Sequence, residues 1–172
     1  MCYRLFLTSP LTLSEIRSML PEGITADLLP PALQRFFLSQ LPRARTAVAL
    51  RHGGCACDLI GRRLPEREDD ERALRTRYRR QEVNRSDVVR VLEAHRKRGP
   101  MADLGTDVAE AFAGFVAEHA RNAGPALFLA DFSADPNREP GWPGGARQVP
   151  AAAVRRDPAG WLQEDHPVVV VP

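Results

Sequence analysis

Four short apolar runs constrain this chain more than anything else in it. Residues 3–8 (YRLFLT), 46–50 (TAVAL), 126–132 (ALFLADF) and 168–171 (VVVV) each have the length of a strand and are bounded by turn-forming residues. The stretches between the first three carry helical signals. Thr12 followed by Glu15 has the spacing of a capping box, with Ile16, Met19 and Leu20 as an apolar face and Pro21-Glu22-Gly23 as the stop. A second helix is expected from Pro30-Pro31, with Leu33, Phe36, Phe37, Leu38 and Leu41 as its apolar surface and Pro42 as its end. Residues 66–81 place acids first and arginines last, the order that complements a helix dipole, and residues 86–98 read as a further helix. Residues 103–122 carry Val108, Phe112, Phe115 and His119 on one stripe at helical spacing.

The order is therefore β-αα-β-ααα-β-loop-β, which predicts an α/β or α+β fold on a small mixed sheet of about four strands. Residues 1–132 are expected to form a single α/β domain. Residues 133–172 read as a Pro/Gly-rich C-terminal arm whose terminal strand packs on that domain, since residues 133–146 alone hold three prolines and three glycines.

Composition narrows the function classes. At 172 residues, 44% hydrophobic and 27% charged, the chain is expected to fold and not to stay disordered. No run approaches the about 20 apolar residues of a membrane span. The N-terminus lacks the pattern of a secretory signal, so a cytoplasmic location is the expectation. Lys97 is the one lysine against many arginines, a bias that fits a GC-rich bacterial genome. A net charge of +2 is too small to imply a nucleic-acid partner by itself.

Three cysteines cannot complete a disulfide framework, which points to thiols or metal ligands instead. Gly54-Cys55-Ala56-Cys57-Asp58 follows the second strand-like run, and two cysteines at i, i+2 in a turn can aim both sulfurs at one ion. Soft thiolates suit Zn, Cu or Fe. If the strands at residues 3–8 and 46–50 run antiparallel, Cys2 lies beside that turn and the set becomes Cys2, Cys55 and Cys57, with His52 and Asp58 as nearby ligands. The plainer alternative is that these cysteines pack as small hydrophobes.

The opening Met1-Cys2-Tyr3-Arg4-Leu5 together with Gly54-Cys55-Ala56-Cys57 resembles an uncharacterised group of small bacterial proteins. That group pairs an N-terminal Met-Cys-x-x-Leu strand with a Gly-Cys-x-Cys turn, and the match covers the first third of the chain. No activity is assigned to the group, so the resemblance implies a single cysteine constellation and no substrate. Cys57 and Arg63 also have the Cys-x5-Arg spacing of cysteine phosphatases, a spacing made common here by the abundance of arginine. An N-terminal Cys2 nucleophile resembles that of class II glutamine amidotransferases, but Tyr3 breaks their Met-Cys-Gly start. Cys-x-Cys is not the Cys-x-x-Cys of a thioredoxin-type pair.

The competing reading is a non-enzymatic interaction module. Residues 62–98 hold 13 basic and 8 acidic side chains and could present arginines to a protein or to nucleic acid, with Tyr78 available to stack. The interleaved acids favour a solvated helical hairpin laced by pairs such as Glu68 with Arg72. A protein partner or a homo-oligomer is conceivable through the C-terminal arm, where Trp142 and Trp161 could anchor it. Of the histidines, His119 reads as a hydrogen-bonded core residue, and Asp131 reads most plainly as an exposed turn acid.

Overall fold

Strand alternation along the first eight residues sets the architecture. The computed structural model describes residues 2–53, 56–60, 75–76, 86, 88–89, 106–133, 140, 145–158, 160–162 and 166–172. By internal contacts the chain forms two compact units, one of residues 1–62 with 105–172 and one of residues 63–104. The described part of the first unit is a mixed six-stranded sheet with four helices. Its strands are β1 (Cys2–Ser9), β2 (Ile24–Leu28), β3 (Thr46–His52), β4 (Ala126–Ser133), β5 (Arg147–Pro150) and β6 (Val168–Val171). Its helices are α1 (Leu13–Met19), α2 (Pro31–Ser39), α3 (Thr106–Ala123) and α4 (Ala151–Arg156), and a single 3-10 turn spans Asp58–Ile60.

The sheet order is β2-β3-β1-β4-β6-β5. All neighbours are antiparallel except β5 and β6. The α/β class expected from the sequence is found, with a larger sheet than the four strands anticipated. β2 was not expected, because Ala26 and Asp27 dilute its strand character; it is an edge strand held by β3. Arg17 of α1 donates from Nε (3.0 Å) and from a terminal nitrogen (2.8 Å) to the Ala26 carbonyl, occupying an acceptor on that edge. β5 and α4 replace part of the expected arm, and β5 ends at Pro150, which an edge strand tolerates.

Alternation then sorts side chains to two faces. Leu5, Leu7, Val48, Leu50, Phe128, Ala130, Val168 and Val170 face α1, α3 and α4. Phe6, Ala47, Leu127 and Leu129 face α2 through Leu33 and Phe37. Phe37 meets Phe6 at a centroid distance of 4.7 Å. On the other face Trp161 stands edge-on to Phe128 at 5.3 Å and packs on Phe112, and with Val154 and Leu162 it ties the chain beyond β5 to the main core.

α1 starts as its sequence predicts. The Thr12 backbone N–H donates to Glu15 Oε2 (2.8 Å) while the Thr12 hydroxyl accepts from the Glu15 N–H (3.4 Å). The Thr12 hydroxyl, donating to Glu15 Oε2 at 2.7 Å, and the Thr12 N–H beside it hold the Glu15 carboxyl below its usual range. In the arginine-rich segment, Arg75, Thr76, Ser86, Val88 and Val89 are helical. The remainder of residues 62–98, including Tyr78, His95 and Lys97, lies outside the described residues, as does Trp142.

Candidate functional site

His52 is the last residue of β3, and alternation from Val48 and Leu50 turns its side chain to the face covered by α1 and α3. Past Gly53 (φ +59°), Asp58–Ile60 form the 3-10 turn. The turn is fixed from below: Ala56, Leu59 and Ile60 are buried in the main core, and the Leu59 N–H donates to the Ala56 carbonyl at 3.2 Å. That anchorage returns Asp58 to His52. Asp58 Oδ2 accepts from His52 Nδ1 at 2.9 Å, with the two side chains 19% and 31% exposed.

A carboxylate oxygen accepts, so Nδ1 carries the hydrogen and the neutral ring keeps its lone pair on Nε2. Nε2 lies beside Gly23, whose neighbour Ile24 pairs across the sheet with His52. Among the described residues the ring has no hydrogen-bond partner other than Asp58.

This geometry corrects the thiol-centred metal reading. β1 and β3 do run antiparallel, as that reading required. Among the described residues, however, no group of three or more His, Cys, Asp or Glu side chains could hold a metal ion. His52 and Asp58 spend their facing atoms on each other, and Cys57, half-buried, joins no ligand set with them. Cys55 lies outside the described residues, as does Arg63 of the Cys-x5-Arg spacing. The backbone of Cys2 pairs with Ser133 of β4.

Two other polar clusters are built into the sheet. Arg4 and Asp131 are directly paired across β1 and β4 on the α2 face, and Arg4 donates to Asp131 Oδ2 from Nε (2.9 Å) and from a terminal nitrogen. The Arg4 guanidinium also lies 5.1 Å from the Phe6 ring centroid. Asp131 is thus a buried ion-pair partner and not an exposed turn acid. At the opposite end of β1, Ser9 Oγ and His119 Nε2 are 2.7 Å apart, and both residues are fully buried. His119 is the hydrogen-bonded core histidine that its helical stripe predicts. Burial lowers its pKa from 6.5 to about 4.

Of these three, only the His52 pair reaches solvent with a nitrogen left to act. Sequence reading selected His52 and Asp58 as ligands beside the cysteines but missed their hydrogen bond to each other, and it read Gly23 only as part of a helix stop. A signal for the pair existed: Leu59-Ile60 is an apolar doublet directly after Asp58, and burying it folds the acid back toward the strand end. No family model, curated protein or solved structure matches this chain. No helix among the described residues is long and apolar enough to cross a membrane.

Proposed function

We propose that the chain performs general acid–base chemistry at His52, with Asp58 fixing the imidazole. The observation that carries this reading is the 2.9 Å bond from Nδ1 to Asp58 Oδ2, which leaves the lone pair on Nε2 of a partly exposed side chain. In the forward step Nε2 takes the proton of a substrate hydroxyl or of water. The imidazolium that forms keeps both hydrogens, one on the substrate side and one on Asp58, and the carboxylate offsets its charge. In the reverse sense the same nitrogen returns the proton to a leaving group.

A positioned base of this kind is worth about 10²–10⁴ in rate. Hydrolysis of p-nitrophenyl acetate by the purified chain reports on the nitrogen directly. His52→Gln is expected to bring the rate down to the background set by the other histidines and the cysteine thiols, and Asp58→Asn to lower it about ten-fold through the lost orientation. A folded His52→Gln variant that hydrolyses the ester as fast as wild type would refute the assignment.

A further inference from the structure

Charge divides unevenly within the first unit. Residues 28–57 carry Arg35, Arg43, Arg45 and Arg51 with no aspartate or glutamate, whereas the rest of that unit holds eight basic against thirteen acidic side chains. Helices α1, α3 and α4 mix the two signs, four acids with four arginines, while α2 on the opposite face carries Arg35 and no acid. The acids on the described strands of that face are already engaged. Asp27 lies 3.9 Å from Arg51 and 4.0 Å from Arg17, and Asp131 takes Arg4. Arg35 and Arg43 make no hydrogen bond or ion pair among the described residues, and Arg45 has only the distant attraction of Glu15. All three side chains are exposed, Arg35 on the side of α2 turned away from the buried Leu33 and Phe37.

Arg43 is also held in a strained backbone. The Ala44 N–H donates to the Leu41 carbonyl at 3.2 Å, Pro42 takes the second place of the turn, and Arg43 takes the third with φ +65°. A type II turn of this kind favours glycine there. Among the described residues Arg43 is the one non-glycine with positive φ, and its side chain gains no contact within the chain that offsets the strain.

The face lacks the apolar centre of a protein interface. Of the two large apolar side chains exposed among the described residues, Leu28 pairs with Val48 on the opposite face and Val89 belongs to the other unit. Interfaces with proteins centre on apolar and aromatic groups, whereas those with nucleic acid are polar and basic. We infer that the α2 face binds the phosphate backbone of a nucleic acid through Arg35, Arg43 and Arg45. The arginines read charge and not base sequence, and the surface is independent of the His52 site.

Fluorescence anisotropy of a labelled DNA of about 20 nucleotides, single-stranded and duplex, titrated with the full-length chain over a range of salt, tests this. The logarithm of the affinity is expected to fall against the logarithm of salt with a slope of at least about −2, the value for three phosphates. Arg35→Ala and Arg43→Gly should each make that slope shallower by about 0.7–0.9 and weaken binding about ten-fold near 50 mM salt. Arg43→Gly should in addition raise the urea midpoint, because glycine adopts the same φ without strain. Arg155→Ala, an exposed arginine on the mixed face, should change neither affinity nor slope. Absence of binding at low salt would overturn the inference, as would folded Arg35→Ala and Arg43→Gly chains that lose no more affinity than Arg155→Ala. Tighter capture of polyglutamate than of either DNA would overturn it in favour of an acidic protein.

Discussion

His119 makes the stability of this chain depend on pH in a way that can be calculated. The residue is fully buried on α3, and its Nε2 is 2.7 Å from Ser9 Oγ, which also accepts the Leu11 N–H at 2.9 Å. No carboxylate bonds to the ring, and Nδ1 has no hydrogen-bond partner among the described residues. Desolvation is therefore unopposed, and the pKa falls from 6.5 to about 4. The sign follows from proton counting. Between those values the unfolded chain binds a proton at this histidine and the folded chain does not, so stability falls as pH falls. The contribution is intact above pH 6.5, declines by about 1.4 kcal/mol per pH unit below it, and levels off near pH 4 after a loss of about 3 kcal/mol.

Urea unfolding of wild type and His119→Gln between pH 7.5 and 4.5 isolates the term, since glutamine can keep a bond to Ser9 without titrating. The difference in unfolding free energy between the two chains should shift by about 2.5 kcal/mol across that range, wild type losing more. A difference that stays flat, or an imidazole titration near 6.5 in the folded protein, would sink the argument.

The buried Arg4–Asp131 pair should respond asymmetrically. Asp131→Asn takes a carboxylate away from the guanidinium and should cost up to about 3 kcal/mol in urea unfolding, whereas the double replacement Arg4→Met/Asp131→Leu should recover most of that loss. Trp161→Ala removes a ring that packs on both Phe112 and Phe128, so a loss of about 3–5 kcal/mol is expected, together with loss of near-ultraviolet ellipticity.

The four apolar runs were legible as strands because each is buried on at least one face of the sheet and needs strong strand formers to stay there. β2 and β5 were not. Ile24–Leu28 owes its extended state to pairing with β3 and to the Arg17 guanidinium on the Ala26 carbonyl, neither of which is local. β5 buries only Val149 and pairs in parallel with β6, so its strand character comes from its neighbour. The site divides the same way. His52 and Asp58 stood out by residue type, but the cysteines beside them drew the reading to metal ligation. The hydrogen bond that defines their chemistry depends on where Leu59 and Ile60 are buried. Gly23 was read as the stop signal of a helix, and its approach to His52 exists only once β2 is laid beside β3. Asp131 looked like a turn acid because it is near a strand end. Its alternation with Leu127 and Leu129 marks the α2 face, and the β1–β4 register supplies Arg4 opposite it.

The strand order has a consequence for how the chain comes off the ribosome. β1 lies between β3 and β4, so one of its edges is satisfied once residue 52 has emerged and the other only after residue 133. At synthesis rates of about 5–20 residues per second that interval is on the order of 4–16 s, long compared with the time a hairpin needs to form. Throughout it, β1 holds its unpaired backbone groups toward whatever else is nearby, and the three-stranded piece β2-β3-β1 already contains His52 and its Gly23 neighbour. The nascent chain thus assembles the strands around His52 early and waits for β4 to seal the sheet. That order makes slow synthesis between residues 53 and 125 the period in which aggregation, and capture by a chaperone, compete most strongly with folding.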